Sequence, residues 1–434
     1  YIYVSHGHAD HLHAGTIRRF PKGTKVLVAT ELRLAPSLRD MGFEVVEVDA
    51  DVELDLGRGV RCRIMPTHGD DSLMTLTDGK EVLFNLNDAL HAAPMAVQDS
   101  VMTHLKKLYP VIDYVFCGYG IASHFPNCYF IPGKDDLRTA ARRQQHFNRQ
   151  WARIVSTLAP RLGFPFAADV ALLDRELFWA NEPVHNSERP TDVFKLLYPG
   201  SPTKVFDIAP GFVIADGRVR ETKLFEPVRA GDIIAAYREE YTAEQTGPVR
   251  QDYDVAFLCD RLKQNIEVAR SYLREFRHDY AFLLVIKGAD RAIEMRKRGN
   301  DISATVVPRS AADGDAYDIV FTTAFSYLRR TFTTPYGHET LFVGSGCTIR
   351  YRERARVRDN LHRELMAVLK QMDRAPRSRF GDQPRLLYEI KQSIRHLLGR
   401  READLYDLDA WTVYRSPAER PAAPAALEHQ GASR

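Results

Sequence analysis

Seven residues near the start of the chain, Ser5-His6-Gly7-His8-Ala9-Asp10-His11, bring together four side chains able to ligate a metal ion. Three of the 15 histidines fall within these few positions, beside an aspartate. In an extended turn His6 and His8 point the same way and can grip one ion. Asp10 and His11 lie past the bend and can face a second. Imidazole and carboxylate donors suit zinc, as one or two ions, with iron or manganese also compatible. Two ions about 3.5–4 Å apart would clamp an ester, amide or phosphodiester for hydrolysis. Asp10 is also the candidate catalytic carboxylate, placed to orient the attacking water or receive its proton.

Such ligands need a rigid frame. Tyr1-Ile2-Tyr3-Val4 before them is an aromatic and β-branched run expected to be a buried strand, and 12–20 after them carries helical spacing. The cluster is therefore expected on a loop at a strand's C-terminal end, where scaffolds usually hold binding chemistry. Further strands are expected over 24–30 and 43–48, with a short helix over 31–41 between them. A hairpin over 52–66 should turn at Gly57-Arg58-Gly59 and end in Thr67-His68. A second hairpin should turn at Asp78-Gly79 and lead to Asp88, twenty positions after His68. A helix over 89–108, a strand over 112–117 and a long basic helix over 135–158 follow. In that helix Arg142, Arg143 and Arg149 are expected to mark a solvated face.

The string His6-Gly7-His8-Ala9-Asp10-His11 resembles the HxHxDH signature of the metallo-β-lactamase superfamily. Thr67-His68-Gly69-Asp70 and Asn85-Leu86-Asn87-Asp88 resemble the next two elements of that pattern. Together with Gly118-Tyr119-Gly120, Phe125-Pro126-Asn127-Cys128-Tyr129 and Pro165-Phe166-Ala167, the phrasing is similar to one branch of the superfamily. That branch holds the ascorbate-6-phosphate lactonase-like hydrolases and the lactamase-like part of CMP-N-acetylneuraminate hydroxylase. The resemblance spans about the first half of the chain. It implies an α/β fold, a four-layer αββα sandwich whose first strands are missing from this sequence, so that the chain is expected to be a fragment. It implies His6, His8 and His68 on a first metal, and Asp10, His11 and Asp88 on a second. The family's last ligand is a His where this chain has Asp169, so the final ligand is Asp169, His124 or none, with His146 and His185 as weaker candidates.

The chain has 434 residues, 44% of them hydrophobic and 27% charged, enough for two globular units. Sixty basic and 57 acidic residues leave a formal charge of +3, which offers no bulk attraction to nucleic acid or membrane. A small-molecule substrate is expected, with an anionic one among the candidates. Cys62, Cys117, Cys128, Cys259 and Cys347 form no CxxC pair, so free thiols of a reducing, cytoplasmic setting are expected. The metal-binding domain is expected over 1–241, closing with two strands in 204–219 joined by Pro210-Gly211.

A smaller α+β domain is expected over 253–375. It should hold strands at 255–259, 280–286, 317–323 and 339–350, with helices at 261–276, 324–332 and 361–372. A helical extension over 376–415 and a disordered Pro- and Ala-rich tail over 416–434 should follow. The leading expectation is a metal-dependent hydrolase acting on an ester, lactone, amide or phosphodiester. The alternatives are the metal-binding part of a Rieske-coupled hydroxylase and a non-catalytic scaffold. The first of these lacks support within the chain, because no CxH…CxxH pair occurs among the five cysteines.

Overall fold

Val26-Leu27-Val28-Ala29 is buried along its whole length, as a strand covered on both faces must be. In the computed structural model it is the middle strand, β2 (Val26–Ala29), of a parallel three-stranded sheet with β1 (Ile2–Tyr3) and β3 (Val45–Val48). The structure describes residues 1–369 apart from 9, 51, 68–70, 121–122, 167–169, 186–187, 221–225, 228, 234, 238–252, 274–277, 312–313, 335–336 and 360. Side chains alternate across a strand. Accordingly, Val26 and Val28 pack with Ile17, Ala35 and Leu38 of α1 (Ala14–Ile17) and α2 (Ala35–Asp40). Leu27 and Ala29 face the other way, onto Cys62 and Ile64 of a second sheet.

That second sheet has seven strands. An antiparallel meander, β4 (Leu54–Gly57), β5 (Val60–Pro66), β6 (Ser72–Thr77) and β7 (Val82–Asn87), continues into parallel β8 (Tyr114–Cys117). After the short β9 (Tyr129–Phe130), β10 (Leu162–Pro165) and β11 (Lys204–Val205) extend the parallel half. Parallel neighbours need crossovers, and α3 (Met95–Leu108) and α4 (Asp136–Leu158) supply them. Met102 and Leu105 of α3 and Trp151, Ile154 and Val155 of α4 bury against Phe84, Leu86 and Val115. α5 (Asn181–His185) and α6 (Pro190–Leu197) follow, the latter adding Val193 and Phe194 to the same core. A separate hairpin, β12 (Val213–Ala215) and β13 (Arg218–Arg220), covers Tyr114 and Phe164 through Ile214 and Val219. The molecule is a mixed α/β fold in which helices cover sheets and the two N-terminal sheets meet face to face.

A third sheet dominates the later residues. α7 (Val255–Leu273) precedes β14 (Tyr280–Lys287), β15 (Arg291–Arg298), β16 (Asp301–Pro308) and β17 (Ile319–Ala324). α8 (Phe325–Thr333), α9 (Glu339–Phe342), β18 (Cys347–Tyr351) and α10 (Leu361–Leu369) complete it. The strand order is β16-β15-β14-β17-β18-β9, so Tyr129–Phe130 from the first half supplies an edge strand, parallel to β18.

Several local expectations change. Residues 255–259 are not a strand but the first turns of α7, because Val255, Leu258, Cys259, Leu262 and Ile266 are buried at helical spacing. The hairpin over 213–220 turns at Asp216-Gly217, where both residues have positive φ (51° and 67°), rather than at Pro210-Gly211. Thr77 pairs with Val82, so the Asp78-Gly79 connection is a four-residue loop. Glu339–Phe342 is helical, leaving only Cys347–Tyr351 as strand. Arg143 is not on a solvated face: it is 6% exposed, with its guanidinium 5.4 Å from the Phe147 ring centroid and 5.9 Å from that of Phe125. No helix among the described residues is long and apolar enough to cross a membrane. All five cysteines are free and buried.

Candidate metal centre

Three strand ends converge at the site. The chain leaving β1 carries Ser5, His6 and His8, residue 71 leads into β6, and β7 delivers Asn87 and Asp88. Ser72 stitches the first two together: its backbone N donates to Ser5 O at 3.1 Å, and its hydroxyl donates to the same oxygen at 2.6 Å. The Tyr3 hydroxyl adds a 2.9 Å bond to Ser72 O. At the end of β7 the register with β8 shifts between Asn85 and Asn87, and Asn87 takes a left-handed φ of 46°. Such a bulge re-aims the following side chain, here Asp88. Gly118 makes this possible, since a Cβ there would lie 2.7 Å from Asn87 O.

One ligand atom each from His6, His11 and Asp88 lies within 4.8 Å of the others. His11 Nε2 is 3.2 Å from Asp88 Oδ2 and 3.4 Å from Asp10 Oδ2. His8 Nδ1 is 2.8 Å from His6 Nε2, and the His6 and His11 rings have centroids 4.1 Å apart. The structure thus gathers His6, His8, Asp10, His11 and Asp88. His68, Gly69, Asp70 and Asp169 lie outside the described residues. His124 is engaged elsewhere: its backbone N donates to Phe342 O at 2.6 Å and its ring packs on Phe342 and Tyr129. His185 Nε2 is 2.8 Å from Val170 O, and the His146 ring stands edge-on to Phe147.

Charge is distributed unevenly over these groups. Burial, with His11 and His8 nearby, pushes the His6 imidazole down to about 3, so it is neutral and has a lone pair to give. Burial opposes the charge on His11 too, but Asp10 and Asp88 outweigh it and hold this imidazolium up to about 10. Asp10 and Asp88 are held below the ordinary carboxylate range despite burial, mainly by His11. The donor set therefore fits a divalent cation: neutral imidazole, ionised carboxylate, and an imidazolium proton that a cation can replace. A tetrahedral ion with bonds of about 2.0–2.1 Å needs donors about 3.3 Å apart, close to the 3.2 and 3.4 Å that separate His11 Nε2 from Asp88 and Asp10.

The chain is similar to solved metallo-β-lactamase-fold proteins. One is the metallo-beta-lactamase fold protein YhfI from Bacillus subtilis, at 14% identity and TM-score 0.29 over 50% of this chain and 76% of that one. A variant of CmlA beta-hydroxylase matches at 19% identity and TM-score 0.32 over 48% of this chain. The match spans 42% of the length of that hydroxylase. Isothiocyanate hydrolase from Delia radicum gut bacteria matches at 12% identity and TM-score 0.31 over 51% of this chain and 76% of that one. No protein-family model matches the chain, and no curated protein does.

Around the ligand candidates stand further polar residues, of which Ser5 and Asn87 are not ligand types. Asp71, one of two carboxylates adjoining Thr67-His68, has Oδ1 3.0 Å from His6 Nδ1, behind the ring rather than in front of it. Ser5 Oγ is 3.1 Å from the same nitrogen. Asn87 Nδ2 donates to Ser5 Oγ at 2.5 Å and is 3.2 Å from His11 Nδ1. His91, buried and pushed towards neutrality by that burial, feels the charges of both Asp88 and Arg143, and its Nε2 is 2.5 Å from Gly120 O.

Proposed function

We propose that the N-terminal half of the chain is a metal-dependent hydrolase. The single observation that carries this reading is the meeting of His6, His11 and Asp88 ligand atoms within 4.8 Å, from segments more than 70 positions apart. His6, His8, His11 and Asp88 would hold the metal, with His68 and Asp169 as further ligand candidates. The ion, when bound, supplies Lewis-acid activation of water. Asp10 is the catalytic carboxylate: its side chain is 48% exposed beside the half-buried His11 imidazole, and its depressed pKa keeps it ionised at neutral pH. It can orient the attacking water and accept its proton. His6, neutral and buried, and Asp88 hold their places without changing protonation during the reaction.

The proposed substrate is a small ester, lactone, amide or phosphodiester, and an anionic group on it would suit Arg143. That side chain lines a small cavity, polar at Ser123, Asn127 and Gln144 and apolar at Phe147, Val170 and Leu172, and its charge reaches His91, which also feels Asp88. The test is a hydrolysis screen of lactones and phosphodiesters on protein loaded separately with zinc, iron and manganese. Activity lost to a chelator and restored by one metal is expected, with kcat falling about 10²–10⁴-fold in Asp10→Asn. Hydrolysis untouched by chelation contradicts the proposal.

A further inference from the structure

Asn87 is not a ligand type, yet it occupies the most constrained position at the site. It is 5% exposed, left-handed in φ, and pinned through its carbonyl to Gly118 N at 3.0 Å. Its side-chain amide touches Ser5 Oγ at 2.5 Å and His11 Nδ1 at 3.2 Å, while Ser5 Oγ reaches His6 Nδ1 at 3.1 Å. One amide and one hydroxyl therefore stand behind two imidazoles whose other nitrogens face the proposed metal position. This inference rests on that proposed position.

Hydrogen-bond chemistry decides how the brace works. A histidine that gives its Nε2 lone pair to a metal carries its proton on Nδ1, and the group behind it must accept. An amide presenting Nδ2 to His11 Nδ1 would compete for that tautomer. Turned by 180°, the same amide places Oδ1 at the same point. Oδ1 then accepts from His11 Nδ1–H and from the Ser5 hydroxyl, whose own oxygen accepts from His6 Nδ1–H, with Asp71 Oδ1 3.0 Å away as a second acceptor. The Ser5, His6 and His11 donors each meet an acceptor in that arrangement, and both rings offer Nε2 forwards.

We propose that Asn87, relayed by Ser5, is the positioning residue that fixes His11 and His6 as Nδ1–H tautomers for metal binding. Glycine tolerates the positive φ, so Asn87→Gly removes the amide without straining the backbone. Asn87→Asp keeps an acceptor oxygen in place. The experiment measures Zn²⁺ affinity by competition with a chromophoric chelator for wild type, Asn87→Gly, Asn87→Asp and Ser5→Ala. Thermal midpoints of the metal-free proteins and long-range ¹H–¹⁵N imidazole spectra of the zinc-loaded ones accompany it.

Asn87→Gly should weaken Zn²⁺ about 10–100-fold while the metal-free protein remains folded, and Asn87→Asp should stay within about threefold of wild type. Ser5→Ala should fall between them, and the wild-type spectra should show His11 with its proton on Nδ1. Equal affinity in Asn87→Gly and wild type overturns the inference, as does Asn87→Asp binding as weakly as Asn87→Gly. Should Asn87→Gly not fold, Ser5→Ala binding as tightly as wild type overturns it as well. A wild type that takes up no Zn²⁺ overturns the site itself, a result distinct from these.

Discussion

His11 sits between two carboxylates, and that placement sets how the site responds to protons. Asp10 and Asp88 overcome the burial penalty and lift the imidazolium to about 10, from an ordinary value of 6.5. A raised histidine pKa stabilises the metal-free fold fully below pH 6.5, and that contribution is lost as pH climbs through 10. Metal uptake must expel this proton. Affinity should accordingly rise about tenfold per pH unit between pH 6 and 9, with about one proton released per ion. Calorimetry in two buffers of different ionisation enthalpy checks this, and pH-independent uptake would contradict it. At this scale the ligand candidates at 6–11 were legible, because histidine and aspartate at that density are rare in sequence. Ser5 and Asn87 were not, since neither is a ligand type and their contact spans 82 positions.

Elements were legible where periodicity was long and punctuation clear. α4 runs from the Asp135 cap, whose carboxylate accepts from Arg138 N at 3.0 Å, to a left-handed Ala159. Its buried stripe centres on Trp151, which is fully buried against Phe194. Trp151→Ala should cost about 3–5 kcal/mol of stability and Asp135→Ala about 0.5–2 kcal/mol, read from urea midpoints at unchanged slope. Equal, negligible losses would mean that α4 is not integral to the core. The miss at 255–259 has a simple cause: Val-Ala-Phe-Leu-Cys is apolar enough for a strand, and five residues cannot distinguish a buried strand from a buried helix face. Arg143 was misread for a related reason. Helical charge runs usually face water, and tertiary packing brings the loop carrying Phe125 over this arginine.

At the scale of the molecule, the two halves share hydrogen bonds that no local pattern announces. β9 extends the later sheet, Lys287 pairs with Asp174, and Ser345 Oγ donates to Ser123 O at 3.3 Å. Between α10 and that later sheet, Glu364 is buried 3.8 Å from Lys297 of β15. Burial pushes its carboxyl up to about 7, against the pull of Lys297 and Tyr280. An acid whose folded pKa is raised favours the folded state while protonated. Its contribution is present below pH 4.5 and is lost as pH rises to about 7. The stability of wild type relative to Glu364→Gln should therefore fall by about 3 kcal/mol across that window. Parallel curves would show that Glu364 titrates normally. The hairpins of the first half were legible from their punctuation, whereas the contribution of Tyr129–Phe130 to a distant sheet depends on contacts about 220 positions apart.

Elemental analysis of purified protein tests most directly whether this cluster holds a metal. Wild type, His11→Ala and Asp88→Ala would be loaded with Zn²⁺, Fe²⁺ or Mn²⁺ and dialysed before measurement. One or two ions per wild-type chain, falling in both variants, is the predicted result. A wild type that retains no metal, or variants that retain as much as wild type, would contradict it.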